Sequence, residues 1–300
     1  MRDVITPLLR CSFCAAPFEN NTRCKEGHLF LYVDESLDLR GNLSEEVIRE
    51  IQGTRASECI SGRSFVSEKE ILENNLILED MQSYIRKGES GSIILEIGCG
   101  FGYLATELAK AYPQHHVIAS DVFSFAMKKY RCPTGNLSFL LFPMEHIPLV
   151  EHSVDYVIVK SALHHTSHLN TVFNEIYRVL KPGGIFFVFN EVNVALCERA
   201  QHFEAHENGC NDQPYSFADY KKAARQSAFS FYIKRPRMFT TYIEKGFLSF
   251  PQRGAIKKMK IKILLCAQRS RMIKFFAHAL YPLLLYFFLV PSFFICIKKY

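Results

Sequence analysis

The chain has no tryptophan, and its 15 Gly and 12 Pro are few for 300 residues. That excludes a collagen-like or disordered chain, both of which are rich in these residue types. Bulk for a core comes instead from 26 Phe and 14 Tyr, enough for one large domain or two small ones. Also lacking is the apolar h-region of a secretory signal, since the N-terminus reads MRDVITPLLR. The 10 Cys are scattered rather than spaced as a disulfide framework, so a reducing, cytoplasmic setting is expected, with clustered Cys serving a metal. Acid is missing from the end of the chain: residues 245–300 hold 11 Lys/Arg and no Asp or Glu, against 25 Lys/Arg and 30 Asp/Glu before them. Such asymmetry points to an anionic surface, membrane or nucleic acid, met by the C-terminal end.

Composition divides the chain into residues 1–40, Cys-rich; 41–90, a polar helical connector; 91–245, an α/β unit; and 246–300, a basic and then hydrophobic tail. In the connector, Ser67-Glu-Lys-Glu70 reads as a helix start and Lys87-Gly88 as a stop. In the α/β unit, strands are expected at 92–97, 116–120, 137–141, 156–159 and 185–189, with helices at 103–111 and 169–180 and a turn at Lys181-Pro-Gly-Gly184. Short apolar runs alternating with helices predict a doubly wound, mostly parallel sheet, whose ligands sit beyond the carboxyl ends of the strands.

The strongest motif is Leu95-Glu-Ile-Gly-Cys-Gly-Phe-Gly-Tyr103, in which an acid, Glu96, closes strand one and Gly98, Gly100 and Gly102 turn the chain into a helix. Glycines let the backbone turn tightly and a ligand approach it closely. The spacing is G-x-G-x-G, not the dinucleotide fingerprint, and the acid would repel a pyrophosphate but suit a ligand carrying an ammonium and a sulfonium. Asp121, at the end of strand two, is placed to accept from ribose hydroxyls.

With ILEIGCGFG, the acid of IASD, HIPLVEHSVDYVIVKSALHH and RVLKPGG, residues 91–190 resemble class I S-adenosylmethionine-dependent methyltransferases of the type 11 group. The resemblance implies a Rossmann-like seven-stranded sheet, S-adenosylmethionine lying over strands one and two, and an acceptor near the end of strand four. It assigns Glu96, Gly98, Gly100 and Gly102 to the methionine part and Asp121 to the ribose. The family's frequent adenine-binding Asp after strand three is Pro143 here, leaving adenine to the Met144 backbone and apolar contacts, while Glu145 keeps its usual place. Pro143 is also the argument for the alternative of a non-catalytic cosubstrate-binding scaffold.

Lys160-Ser-Ala-Leu-His-His165 ends strand four, which brings Lys160 to the cosubstrate and His165, or alternatively His164, to the reacting methyl. An activated methyl needs mainly an aligned acceptor and a proton acceptor; packing is the competing role for both histidines. Asp155 and the Lys181 turn read as fold determinants, and Glu191 stands just past strand five.

Cys11-x2-Cys14 and Cys24-x3-His28 supply four ligands for a structural, tetrahedral zinc. The segment resembles the zinc ribbon that precedes the methyltransferase domain in bacterial family members, among them rRNA guanine-N1 methyltransferases. Its only nearby basics are Arg10, Arg23 and Lys25, so RNA is a possible partner but not the favoured one. After strand five, residues 204–220 resemble a segment of zinc-ribbon methyltransferases acting on sugars or polar metabolites, with His206, Glu207, Asn211 and Tyr215 available to hydroxyls.

The tail FFAHALYPLLLYFFLVPSFFICI, residues 275–297, is uncharged and long enough to span a bilayer, with Lys274 before it and Lys298-Lys299 after it. A kinked hairpin or a buried helix are the competitors, given Pro282, Pro291 and His278. The expectation is thus a methyltransferase on the inner face of a membrane, acting on a glycan, a lipid-linked molecule or a polar small molecule. An rRNA methyltransferase is the alternative.

Overall fold

The computed structural model describes residues 4–52, 67–85, 91–124, 135–191, 213, 215–245, 270–287 and 291–299. The sequence opens into two hairpins. Strands β1 (Phe18–Asn20) and β2 (Arg23–Cys24) pair with each other, and β3 (Tyr32–Val33) and β4 (Ser36–Asp38) pair antiparallel. Helices α1 (Glu45–Gln52) and α2 (Glu68–Met81) follow. A capping box starts α2, Ser67 and Glu70 each accepting the other's backbone N–H, as the Ser-x-x-Glu spacing predicts.

The α/β unit runs β5 (Ile93–Ile97), α3 (Tyr103–Ala111), β6 (His116–Asp121), β7 (Leu137–Leu141), β8 (Val154–Lys160), α4 (Leu169–Val179) and β9 (Leu180–Phe189). Then come α5 (Phe217–Gln226), β10 (Ser230–Ile233), α6 (Arg237–Lys245), α7 (Arg271–Ala279), α8 (Tyr281–Phe287) and β11 (Phe293–Ile297). The main sheet is ordered β10-β11-β9-β8-β5-β6-β7-β4-β3. Its middle, from β9 across to β4, is parallel, and β11 lies antiparallel between β9 and β10. Seven of the nine strands, β5 to β11, form the expected doubly wound sheet; β3 and β4 extend it. β5 is buried along its whole length, as expected of a parallel strand covered on both faces. Asp155 acts as the fold determinant expected of it: it accepts from the Ile93 amide at 2.8 Å and from the Lys181 ammonium at 2.8 Å, tying β8 to the starts of β5 and β9.

Two expectations need correction, and one packing contact was not foreseen. The Lys181-Pro-Gly-Gly184 stretch is no separate turn: it lies inside β9, and a register shift between Val154 and Tyr156 absorbs it. The Cys-rich segment packs onto the sheet. β4 pairs with β7, the Arg10 amide donates to Pro148 at 3.0 Å, and Ile5, Leu9, Leu37 and Leu39 share one apolar core with Phe142, Ile147 and Leu149. Finally, residues 275–297 do not form a span. Among the described residues no helix is long and apolar enough to cross a membrane, and Phe293–Ile297 is a strand inside the sheet. An apolar run reads the same whether its surroundings are lipid or a protein core. Lys298, expected at a headgroup, is 3% exposed, and its ammonium donates to the carbonyls of Tyr177 at 2.5 Å and Leu180 at 2.7 Å.

Phe294 tests this placement. It is fully buried, its ring 4.8 Å from Phe231 and 5.8 Å from Phe217. Phe294→Ala is expected to destabilise the fold by about 3–5 kcal/mol, read as a large drop in melting temperature by circular dichroism. An unchanged melting temperature would remove β11 from the core.

Candidate active site

At the carboxyl end of β5 the chain turns through Gly98-Cys99-Gly100-Phe101-Gly102 into α3. Gly98 has φ +69°, and a Cβ there would stand 2.5 Å from that of Ala162, so both conformation and the close approach of the β8 loop require glycine. Around Gly100 (φ +52°) the same position is open space. The loop is held by Asp121, whose Oδ2 accepts from the Gly100 amide at 2.8 Å while Oδ1 accepts from the amides of Val122 at 2.8 Å and Phe123 at 3.2 Å.

Between this loop, the ends of β6 to β8 and helices α1 and α2 lies a cavity of about 490 Å³, within the range of small-molecule sites. Of the residues expected from sequence, Glu96, Gly98, Gly100, Asp121, Met144, Lys160 and His165 line it. Gly102 and His164 stand off its wall. Gly102 instead caps α3 in the left-handed conformation. His164 is buried, its Nδ1 3.1 Å from Oε2 of Glu191. The other Glu191 oxygen accepts from the amides of Ala162 at 2.8 Å and Leu163 at 3.0 Å. One buried carboxylate therefore fixes the whole turn after β8. Half-buried His165 packs on that turn, its ring tilted and its centroid 4.1 Å from that of His164, and lines the cavity.

Sequence reasoning missed the wall that α1 and α2 supply. Val47, Glu70, Glu73 and Asn74 line the cavity, and the Lys160 ammonium donates to Asn74 Oδ1 at 2.7 Å. The Glu46 carboxylate fastens α1 by accepting from the Ser167 amide at 3.1 Å and hydroxyl at 2.6 Å. No local signal marks these residues; only the capping box placed α2. Of the polar set after strand five, His206, Glu207 and Asn211 lie outside the described residues. Tyr215 is away from the cavity wall, donating to the Thr166 carbonyl at 2.9 Å.

Electrostatically, Glu96 is the outlier. It is 2% exposed, and its Oε2 has no hydrogen-bond partner. Burial pushes its pKa up to about 8, opposed by the Lys160 ammonium and the Ala105 amide, with Asp121 adding to the rise. Burial correspondingly lowers Lys160, with Glu73, Glu96 and Glu70 opposing. A buried acceptor left open in a cavity calls for a donor from a ligand, best a cation.

A second cluster sits in the N-terminal hairpin. The ligand atoms of Cys11, Cys14, Cys24 and His28 all lie within 4.8 Å of one another. Cys14 and Cys24 sulfurs are 3.8 Å apart, and His28 Nδ1 is 3.4–3.6 Å from the three sulfurs. A tetrahedral zinc with Zn–S of about 2.3 Å requires sulfur edges of about 3.8 Å, so the set fits.

The sheet order, the glycine turn and the paired acids define a class I methyltransferase fold. Residues 95–188 match the type 11 family model described as a methyltransferase domain. The sterol 24-C-methyltransferase of Saccharomyces cerevisiae is 34% identical over 110 residues, covering 35% of this chain and 28% of that protein. The malonyl-[acyl-carrier protein] O-methyltransferase of Yersinia pestis is 30% identical over 135 residues, 43% of this chain and 49% of that protein. The chain thus spans less than half the length of these curated relatives. A methyltransferase solved in complex with the Haloferax volcanii Trm112 methyltransferase activator shares the fold, with TM-score 0.55 at 17% identity over 83% of this chain and 99% of that one.

Glu191→Ala would strip two buried amides and His164 of their acceptor, with an expected loss of about 1–3 kcal/mol for each group left unsatisfied. Glu191→Gln keeps one oxygen for the amides, so its melting temperature is expected to fall between those of wild type and Glu191→Ala. Equal melting temperatures for all three would show that the clamp contributes nothing.

Proposed function

We propose that the protein is an S-adenosylmethionine-dependent methyltransferase acting on a glycan, lipid-linked or polar small-molecule acceptor. The buried, unpartnered oxygen of Glu96 carries the cosubstrate reading, because it meets the need of an ammonium beside a sulfonium. Bound S-adenosylmethionine would supply an electrophilic methyl, and the chain does the rest. Glu96 receives the ammonium, Lys160 balances the carboxylates, and Asp121 stands at the ribose. Phe142 and Met144 line the adenine side, where Pro143 has neither a side-chain acceptor nor an amide donor. His165 orients the acceptor or takes its proton, on a turn made rigid by Glu191. Against an RNA acceptor, the ribbon exposes Phe13, Leu29 and Leu31 rather than a basic face. That the two relatives named above act on a sterol and on a carrier-bound malonyl group agrees with a non-nucleic-acid acceptor, without choosing one.

The linkage gives a test. Free Glu96, with its pKa near 8, is mostly protonated at pH 7; a cation bound beside it lowers that pKa and expels the proton. Calorimetry at pH 7 in buffers of different ionisation enthalpy should report release of up to about one proton per S-adenosylmethionine bound. In Glu96→Gln the release should vanish and affinity should fall. No binding at millimolar cosubstrate would overturn the function.

Transfer from methyl-labelled S-adenosylmethionine to fractionated lipids, metabolites and stripped rRNA then identifies the acceptor class, and label in rRNA alone would refute the one proposed. On the labelled fraction His165→Ala should lose about 10²–10⁴-fold in rate if the imidazole is a base, at unchanged cosubstrate affinity. An unchanged rate would return His165 to packing.

The ribbon residues Cys11, Cys14, Cys24 and His28 would hold a structural zinc, with all four positions filled by protein. Purified without chelator, the protein should carry about one zinc per chain, and Cys24→Ser should lose it together with melting temperature. Metal-free protein with all its thiols reduced would refute the site.

A further inference from the structure

The two C-terminal helices turn an apolar face away from the domain they are anchored to. On α7, Met272, Phe275, Phe276 and Ala279 follow the i, i+3, i+4, i+7 spacing of one helix face, and all four are exposed, Phe275 by 68% and Phe276 by 52%. Leu280 and Leu283 continue the patch onto α8. A surface helix ordinarily shows polar side chains there, and a contiguous exposed apolar patch marks a contact surface. The other side of the pair is fixed. Tyr281 and Leu285 are buried, Tyr281 packs 4.7 Å from Phe239, and its hydroxyl donates to the Pro291 carbonyl at 2.8 Å.

Charge says what the face meets. Arg235, exposed beside α7, donates to the His278 carbonyl at 3.4 Å, and Lys274 lies on α7 itself. Lys221, Lys222 and Arg225 of α5 surround Tyr286 of α8. Glu244 is the carboxylate that acts on His278 here, against the two cations Arg235 and Lys274. In sequence, Lys257, Lys258, Lys260, Lys262 and Arg269 come just before α7, and no acid occurs from 245 to 300.

We propose that α7 and α8 dock in the plane of an anionic bilayer surface, with Phe275 and Phe276 entering the boundary between headgroups and acyl chains and the surrounding cations meeting headgroup phosphates. Nucleic acid would use the cations but leave the aliphatic Met272, Leu280 and Leu283 unmatched. A second copy would bring like charge against like charge. The docking replaces the span expected from the sequence and is independent of the acceptor's identity.

Co-sedimentation of the full chain with phosphatidylcholine vesicles, with and without phosphatidylglycerol, tests it. Binding is expected only to the anionic vesicles and should weaken with salt. Phe275→Ser/Phe276→Ser should bind at least about tenfold more weakly, since each phenyl loses most of its transfer free energy, with an unchanged melting temperature and unchanged S-adenosylmethionine affinity. Any of three results would overturn the proposal. These are no binding of the wild type to anionic vesicles, equal binding by the double variant (an effect of the basic stretch alone), and a wild-type dimer lost in the double variant with no vesicle binding by either.

Discussion

One carboxylate, that of Asp121, holds the cavity together. It joins the end of β6 to the glycine turn through the Gly100 amide and fixes its own following turn through Val122 and Phe123. The same turn is gripped from outside by the ribbon segment. The Arg40 guanidinium donates to the Val122 carbonyl at 3.2 Å, and the Ser124 hydroxyl donates to Asp34 at 2.9 Å. Arg40 is itself steadied by its pair with Asp38 at the end of β4. The Cys/His-bearing hairpin, the edge of the sheet and the cavity are therefore mechanically continuous. This is why the ribbon shares the sheet and core rather than standing apart on a linker.

Putting Asp121 near a second acid has a consequence. Glu96 is buried within its field, and a fully solvated carboxylate pair would both ionise without conflict. Here burial dominates, Glu96 is pushed upward, and the cation that opposes this, Lys160, is itself weakened by burial and shared with Asn74. The free protein thus stores an unfavourable arrangement that a cationic ligand relieves. Such a site selects by charge before it selects by shape.

The parallel strands were legible because each is a short apolar run bounded by turn residues, and Glu96, the glycines and Asp121 because they lie in one local motif. What was hidden came from distant pieces. Asn74 and Glu73 reach the cavity from α2, with no sequence spacing to betray them, and Glu191, visible just past the neighbouring strand β9, gave no sign of its hold on the β8 turn. β11 was misread for a sharper reason. Phe293–Ile297 is apolar on both faces because it is covered on both, and that pattern is identical to lipid exposure. Lys298 reinforced the error, its charge suggesting a boundary while its ammonium is satisfied inside the domain.

Transfer of an activated methyl places its main demand on alignment, since the leaving group needs no protonation and the nucleophile only a clear line of approach. That shifts weight from the basicity of the histidines to the stiffness of the turn that bears them. Glu191 closes two backbone hydrogen bonds and one to His164, and the Gln213 amide donates to the His164 carbonyl at 2.7 Å, so the turn is tied on both sides. α1, fastened by Glu46 to Ser167, closes the same corner. His165 then lines the cavity from a fixed platform, and the neighbouring imidazole packs against it. In the proposed reaction a loose His165 would spend most of its time where no methyl and nucleophile are in line.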